Sequence, residues 1–203
     1  MNAALQQLLS EEPGIWRGLR SENSAWPVIA SGFPELDALL PGGGWPLGAL
    51  MEILTPCLGV GELRLLLPAM AALSHAGRWI AWVAPPHQAY APALVQAGIR
   101  LSQVLIVESR ETSDIPWSLE KLLRSGRCGM ALAWPCRLSA HQTRRLQLAA
   151  EQGGALAALF PGQTGNNSHA ALRIEVSPLP EGLALNIVKA RGSLRHESLI
   201  LPI

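Results

Sequence analysis

The stretch that most constrains the fold of this chain runs from residue 48 to residue 76. It begins with an apolar run that ends at Leu54, continues through a loop with glycines at positions 59 and 61, and ends in an amphipathic helical pattern. This order predicts a strand, a loop and a helix, an arrangement whose helix N-terminus commonly binds phosphate groups. Whether the chain acts on a nucleotide therefore depends on the residues of the loop.

The loop lacks the side chains of a working phosphate site. Such a site has the pattern G-x-x-x-x-G-K-[ST], in which the lysine reaches the β- and γ-phosphates and the hydroxyl binds Mg²⁺. With Gly61 as the last glycine, Pro56 replaces the first glycine, Glu62 the lysine and Leu63 the hydroxyl residue, and a frame set on Gly59 fails equally. A carboxylate about 4 Å from a phosphate charge costs about 4 kcal/mol at an effective dielectric of about 20. The sequence therefore predicts a degenerate loop that binds no cofactor.

The composition predicts one compact domain. Hydrophobic residues make up 49% of the 203 residues and charged residues 15%, which is typical of a globular chain. We expect one core over residues 26–203, preceded by a helix and linker over residues 1–25. No apolar run approaches the roughly 20 residues of a membrane span and no signal sequence follows Met1, so a cytoplasmic protein is expected.

The charge and the cysteines argue against several kinds of site. The net charge of +1 is unfavourable for a broad nucleic-acid interface, although 14 of the 16 basic residues are arginines. Arg144 and Arg145, on the polar side of a predicted helix, are the candidates for a local DNA contact. Cys57, Cys128 and Cys136 form no C-x-x-C pair, so neither a zinc site nor a disulfide framework is indicated.

The N-terminal segment supplies candidate partner contacts. Residues 1–12 place Leu5, Leu8 and Leu9 on one face of a predicted helix. Because so short a helix is marginal in water, it must dock on its own domain, on a neighbouring subunit or on a partner. Trp16 and Arg17 follow in a linker-like segment, and these residue types are enriched in binding hot spots, although a terminal tryptophan also packs on its own core.

The remainder alternates short apolar strands with helices, which predicts βαβ units and a mostly parallel sheet. Strands are expected at residues 78–84, 104–107, 130–134 and 155–160, and helices at residues 62–76, 90–98, 116–126 and 139–151. Ser113 or Asp114 is expected to cap the third helix, and Ser139 with Gln142 forms a capping-box pattern for the fourth. Three further strand-like segments, at residues 172–176, 183–188 and 198–201, predict antiparallel hairpins that extend the sheet.

The lead-in to the loop, SGFPELDALLPGGGWPLGALMEIL, resembles the segment that precedes the nucleotide loop in the RecA family. The matching residues are Ser31, Gly32, Leu36, Asp37, Leu40, Gly43, Gly44, Pro46, Gly48, Glu52 and Ile53. The resemblance implies a RecA-like fold. It also places Lys189 and Arg191 where that family has paired lysines that reach across a subunit interface; a solvent-facing pair is the alternative.

Active members of the RecA family carry a glutamate after the second core strand and an aspartate after the fourth. This chain has Ala84-Pro85-Pro86-His87 at the first place and Ala133-Trp134-Pro135 at the second. With both carboxylates, the lysine and the hydroxyl absent together, the resemblance implies that ATP hydrolysis is lost and that the chain is not an enzyme.

Residues 77–111 and 118–160 also resemble the SulA cell-division inhibitors, and the whole pattern is similar to the ImuA family. The ImuA resemblance implies a non-catalytic adaptor in damage-induced translesion DNA synthesis, which binds an ImuB-like protein, with RecA as a further partner and a DnaE-type polymerase engaged indirectly. Two alternatives stay open: a SulA-like inhibitor that binds FtsZ, and a protein that retains some affinity for nucleotide.

Overall fold

A computed structural model describes residues 27–109, 111–135, 138–161, 168–191 and 197–202. The predicted N-terminal helix, with Leu5, Leu8 and Leu9, and the pair Trp16 and Arg17 lie outside the described residues. The strands are β1 (Val28–Ile29), β2 (Trp45–Pro46), β3 (Ala49–Leu54), β4 (Trp79–Val83), β5 (Val104–Val107), β6 (Cys128–Ala133), β7 (Leu156–Leu159), β8 (Leu172–Leu179), β9 (Gly182–Ala190) and β10 (Glu197–Leu201). The α-helices are α1 (Pro34–Leu39), α2 (Leu67–His75), α3 (Ala91–Gln96), α4 (Asp114–Arg124) and α5 (Ala140–Gly153).

Eight strands form one mixed sheet in the order β10-β9-β8-β3-β7-β6-β4-β5, while β1 and β2 form a separate two-stranded ribbon. The run from β8 to β5 is parallel, and β9 and β10 extend it as antiparallel strands. The central strand β3 is apolar except at Glu52, as expected of a parallel strand covered on both faces. The predicted α/β class, with a mostly parallel sheet and C-terminal antiparallel hairpins, is confirmed.

Helices cover both faces of the sheet and create two cores. On one face, α1, α2 and α3 pack against a cluster that includes Met51, Ile53 and Ile80. On the other face, α4 and α5 pack against a cluster that includes Leu50 and Ala157. Because consecutive side chains of a strand point to opposite faces, adjacent residues such as Leu50 and Met51 belong to different cores.

Two local predictions about helices were wrong. The segment predicted as one helix over residues 62–76 consists of a 3₁₀ turn, Glu62–Leu65, followed by α2. Pro68 explains the break, because proline lacks an N–H and is tolerated in the first turn of a helix but not in its interior. At α4, no side chain caps the N-terminus; the Ser113 hydroxyl instead donates to the Glu111 carboxylate at 3.2 Å.

Candidate functional site at the carboxyl edge of the sheet

The degenerate loop joins β3 to the 3₁₀ turn at the carboxyl edge of the sheet, where open α/β sheets bind ligands. Gly59 and Gly61 have φ values of 84° and 102°, a region that favours glycine. The Glu62 side chain is only 3% exposed, and its Oε1 accepts a hydrogen bond from the Gly59 N–H at 3.1 Å. A backbone donor of the loop is therefore occupied by a carboxylate of the same chain.

The other two substituted residues of the loop, Pro56 and Leu63, have no side-chain group that could bind phosphate. Pro56 is exposed, and Leu63 is half-buried and packs against the core on the α2 face. The second oxygen of Glu62, Oε2, is buried and has no hydrogen-bond partner among the described residues. A carboxyl group, and not an ammonium group, therefore lies at the position where the sequence pattern requires the lysine.

Three aromatic side chains pack together at the same edge, at the ends of neighbouring strands. Trp82 lies near the end of β4, Trp134 follows β6 and Phe160 follows β7. The ring centroids of Trp82 and Trp134 are 5.6 Å apart, and those of Trp134 and Phe160 are 4.9 Å apart with nearly parallel planes. Sequence reasoning missed this cluster, although an aromatic residue at the end of each of three predicted strands was a signal for it.

Ala84 follows Trp82 at the end of β4 and has an unusual backbone conformation. Its φ of 48° is the only positive value at a non-glycine residue in the described parts of the chain. Its N–H donates to the carbonyl of Val107 at 2.8 Å, which ties this turn to the edge strand β5. An alanine in the left-handed conformation carries a steric cost, which the surrounding contacts must offset. These contacts therefore hold the end of β4 in place.

A buried ion pair connects β3 to β8 on the α5 face. Glu52 Oε2 lies 2.9 Å from Arg173 Nε, and their side chains are 3% and 8% exposed. Ser168 donates its hydroxyl to Glu52 Oε1 at 2.5 Å, and Lys189 donates Nζ to the Ser168 carbonyl at 2.9 Å. Glu52, Arg173 and Lys189 stand side by side across β3, β8 and β9. Glu52 is among the residues that match the RecA family, but the resemblance did not indicate Arg173 as its partner.

The cluster around Lys189 is crowded with positive charge. Burial lowers the pKa of Lys189, the nearby charges of Arg173 and Arg191 lower it further, and the Glu52 carboxylate opposes them. Arg191 Nη1 lies 3.4 Å from Glu151 Oε1 on α5. Arg191 thus lies close enough to Lys189 to influence its pKa, and the role of both residues in partner binding stays a prediction.

The two arginines proposed for DNA contact differ in their surroundings. Both lie on α5 and are exposed. Arg145 forms an ion pair with Glu120 of α4, which also pairs with Arg124 at 3.1 Å. Part of the charge of Arg145 is thus compensated within the protein, so Arg144 is the stronger of the two candidates.

The described residues contain no group of three His, Cys, Asp or Glu side chains that could hold a metal ion. Cys57 is exposed, whereas Cys128 is buried in β6, and burial raises the pKa of its thiol to about 11.

Among the described helices, none is long and apolar enough to cross a membrane.

Comparison with known proteins finds similarity to two named groups of proteins. Residues 58–157 match the family model described as cell division inhibitor SulA. Protein ImuA of Caulobacter vibrioides is 27% identical over 172 residues, which cover 77% of this chain and 70% of that protein. These matches support an ImuA/SulA-like family assignment. Neither name denotes an enzyme.

Individual SulA relatives match a smaller part of this ImuA/SulA-like chain. The cell division inhibitor SulA of Photorhabdus laumondii is 31% identical over 93 residues, or 46% of this chain. The match spans about half, 52%, of that relative's own length. The crystal structure of SulA from Pseudomonas aeruginosa is 25% identical and aligns with a TM-score of 0.46, covering 56% of this chain and 98% of that one.

Proposed function

We propose that this protein is a non-catalytic, RecA-like adaptor that acts in the SOS response during translesion DNA synthesis. Its direct partner is an ImuB-like protein, RecA is a further partner, and a DnaE-type polymerase is reached through the first. The observation that carries this proposal is the buried Glu62 carboxylate, which binds the Gly59 N–H of the loop itself. A protein that keeps the scaffold without its nucleotide site acts through its surfaces.

The carboxyl edge supports the loss of ATP hydrolysis in two ways. Glu62 would repel a phosphate group from inside the loop, where lysine would attract it. Trp82 and Trp134 pack near the ends of β4 and β6, the strands after which an active relative would carry its carboxylates, and Phe160 stacks on Trp134 from the end of β7. Chemistry on a nucleotide requires positioned charges, and the described residues at these strand ends are apolar.

The extent of the ImuA match supports the adaptor function in particular. The alignment with the Caulobacter ImuA covers 77% of the chain, whereas the SulA family model stops at residue 157, before β8, β9 and β10. We therefore assign the partner surfaces to segments outside residues 58–157, which match the SulA model. These are the N-terminal residues Leu5, Leu8, Leu9, Trp16 and Arg17, together with Lys189 and Arg191 near the end of β9.

A second candidate is a division inhibitor that binds FtsZ. The match of residues 58–157 to the SulA model favours it, because that region includes the degenerate loop from residue 58 onwards, α2 to α5 and the strands between them. The two candidates differ in the partner and not in the fold, so a binding experiment separates them.

The test is a pull-down with the full chain against a purified ImuB-like protein, RecA and FtsZ, each with and without ATP and Mg²⁺. The adaptor proposal expects binding to the ImuB-like protein that ATP does not change. Binding to FtsZ alone would replace it with the inhibitor function, and binding that requires ATP would overturn the nucleotide-independent mechanism.

A variant pair tests the N-terminal surface in the same assay. Leu8→Asp is expected to weaken partner binding with little change in melting temperature, because Leu8 lies on the apolar face of the predicted helix. Gln7→Asp, on the opposite face, is the matched control and should bind normally. A large drop in melting temperature for Leu8→Asp alone would assign this face to the protein's own core.

A further inference from the structure

The outer face of α4 carries an exposed aromatic side chain beside positive charges. Trp117 is 63% exposed, although tryptophan is usually buried over most of its surface. Lys121, one helical turn later, is exposed and places its Nζ 5.8 Å from the centre of the Trp117 ring. Arg124 follows on the same side of the helix, because residues three or four positions apart are neighbours on a helix surface. α4 therefore presents a flat aromatic ring and two cations to the solvent.

α4 and α5 lie side by side on one face of the sheet, so their outer faces form one surface. The Arg145 guanidinium of α5 pairs with the Glu120 carboxylate of α4 across the two helices. Arg144 is exposed as well, and consecutive residues of a helix point about 100° apart, so it lies on the side of α5 away from α4. The surface thus extends from Trp117 across both helices to Arg144.

Positive charge dominates the centre of this surface. Glu120 is shared by two arginines, because Arg124 Nη1 lies 3.1 Å from one carboxylate oxygen and Arg145 pairs with the other. The Glu120 side chain is only 10% exposed, whereas those of Arg124 and Arg145 are 49% and 51% exposed, so the cations face the solvent. Lys121 and Arg144 form no ion pair with another described residue.

The other charged groups lie at the ends of the two helices. The carboxylates are Glu111 and Asp114 at the start of α4 and Glu151 near the end of α5, and the last of these pairs with Arg191. Three more arginines flank the helices in the sequence: Arg127, which is exposed after α4, and Arg110 and Arg137, which lie outside the described residues. The carboxylates therefore do not interrupt the positive centre between Trp117 and Arg144.

We propose that this α4–α5 surface binds single-stranded DNA. A base stacks on the Trp117 ring, and the phosphates contact the cations Lys121, Arg124, Arg144 and Arg145. Proteins that bind single strands combine aromatic side chains, on which bases stack, with a positively charged path for the backbone. The sequence indicated Arg144 and Arg145 only, and the structure adds the ring and the cations of α4.

Two features favour a single strand over a duplex. An exposed ring can stack on a base only where that base is free of the duplex stack. In addition, the net charge of +1 is unfavourable for the broad phosphate contact of duplex binding, whereas a local patch suits a few nucleotides. The proposal goes beyond the protein partners named above and does not depend on them.

The first test is a titration of a fluorescently labelled oligothymidine with the full chain, followed by anisotropy at several salt concentrations. The wild type is expected to bind, with an association constant that falls as salt rises, because phosphate contacts release counterions. Lys121→Ala and Arg144→Ala should each weaken binding and reduce the slope of log K against log salt by about 0.7. Arg100→Ala removes an exposed arginine before β5, far from α4 in the sheet order, and is the matched control that should change neither quantity.

A second set of variants tests stacking on Trp117. Trp117→Ala should weaken binding about tenfold without changing the melting temperature, because the side chain is exposed. Trp117→Phe keeps a ring, so it should retain most of the affinity and lose the quenching of tryptophan fluorescence that oligothymidine causes in the wild type. Tyr90→Ala, at a residue that is 72% exposed before α3 on the opposite face of the sheet, is the control and should bind normally.

Several results would overturn the proposal. These are a wild type that does not bind oligothymidine, binding that salt does not weaken, and Trp117→Ala or Arg144→Ala variants that bind as tightly as their controls. Tighter binding of a duplex of the same length would contradict stacking on Trp117. Displacement of the oligothymidine by polyglutamate at an equal concentration of charge would assign the surface to an acidic protein segment instead. Because these assays contain no second protein, their failure is distinct from a failure of the adaptor proposal.

Discussion

At the scale of single residues, the most demanding feature is the buried pair of Glu52 and Arg173. Each is a charged side chain removed from water, which is tolerated only because the other lies 2.9 Å away. The sequence showed a glutamate in an otherwise apolar strand, but its partners lie far along the chain, Ser168 being 116 positions later. Pairing over such distances depends on the order of the strands, which no local pattern contains.

We predict that breaking this pair destabilises the protein strongly. Arg173→Met leaves the Glu52 carboxylate buried and without its ion-pair partner, and such changes cost about 3–5 kcal/mol. Adding Glu52→Leu to it should recover most of the loss. The free energy of unfolding, measured by urea denaturation, checks both changes.

Glu151→Gln, which breaks the exposed pair with Arg191, is the control and should cost less than about 1 kcal/mol. A similar cost for the buried and exposed pairs would contradict the prediction.

The cysteines give a prediction that depends on pH. In a Cys136→Ser background, Cys57 should be alkylated by iodoacetamide at ordinary thiol rates near pH 8.5, whereas Cys128 should be protected by burial and by its pKa of about 11. The pKa of the Cys128 thiol is higher in the folded protein than its ordinary value of 9.0. The protonated thiol therefore contributes stability that is fully present below pH 9.0 and is lost as the pH rises towards 11. Mass spectrometry of the modified chain identifies which thiol reacts first. Equal rates at both thiols in the folded protein would show that β6 opens readily.

At the scale of elements, α5 shows what a local pattern can and cannot predict. The capping box was confirmed: the Ser139 hydroxyl accepts from the Gln142 N–H, and the Gln142 side chain accepts from the Ser139 N–H. Gly154 ends the helix in the left-handed conformation, as a glycine at this position predicts. These features depend on residues that are close together in the chain, so the sequence is enough to predict where the helix begins and ends. The contact that Gly153 makes with α4 was not predictable, because it depends on how the two helices cross.

We expect Gly153→Ala to destabilise the protein by about 1–3 kcal/mol. A methyl group there would clash with the carbonyl oxygen of Leu123, a backbone atom of α4, so the two helices must separate. In a helix without this contact the same change would stabilise by about 0.5–1 kcal/mol, because glycine loses more entropy on folding. Thermal unfolding of Gly153→Ala beside Gln152→Ala, an exposed neighbour, measures the difference. Equal or higher stability for Gly153→Ala would mean that α4 and α5 are not in close contact.

At the scale of the whole molecule, the alternation of strands and helices predicted the parallel sheet and its antiparallel end. It did not predict that β3 would lie between β7 and β8, which is what brings Glu52 to Arg173. The prediction of a degenerate loop rests on Pro56, Glu62 and Leu63 in the sequence. That Glu62 would turn inward to the Gly59 N–H was not predictable, because the same residue could equally have faced solvent.

The most direct test of the account is a calorimetric titration of the full chain with ATP and with ADP in the presence of Mg²⁺, followed in parallel by the fluorescence of its seven tryptophans. We predict no binding in the micromolar range, because the Glu62 carboxylate occupies the loop and opposes a phosphate group. Micromolar affinity for either nucleotide would contradict the central claim that the RecA-like scaffold has lost its nucleotide site.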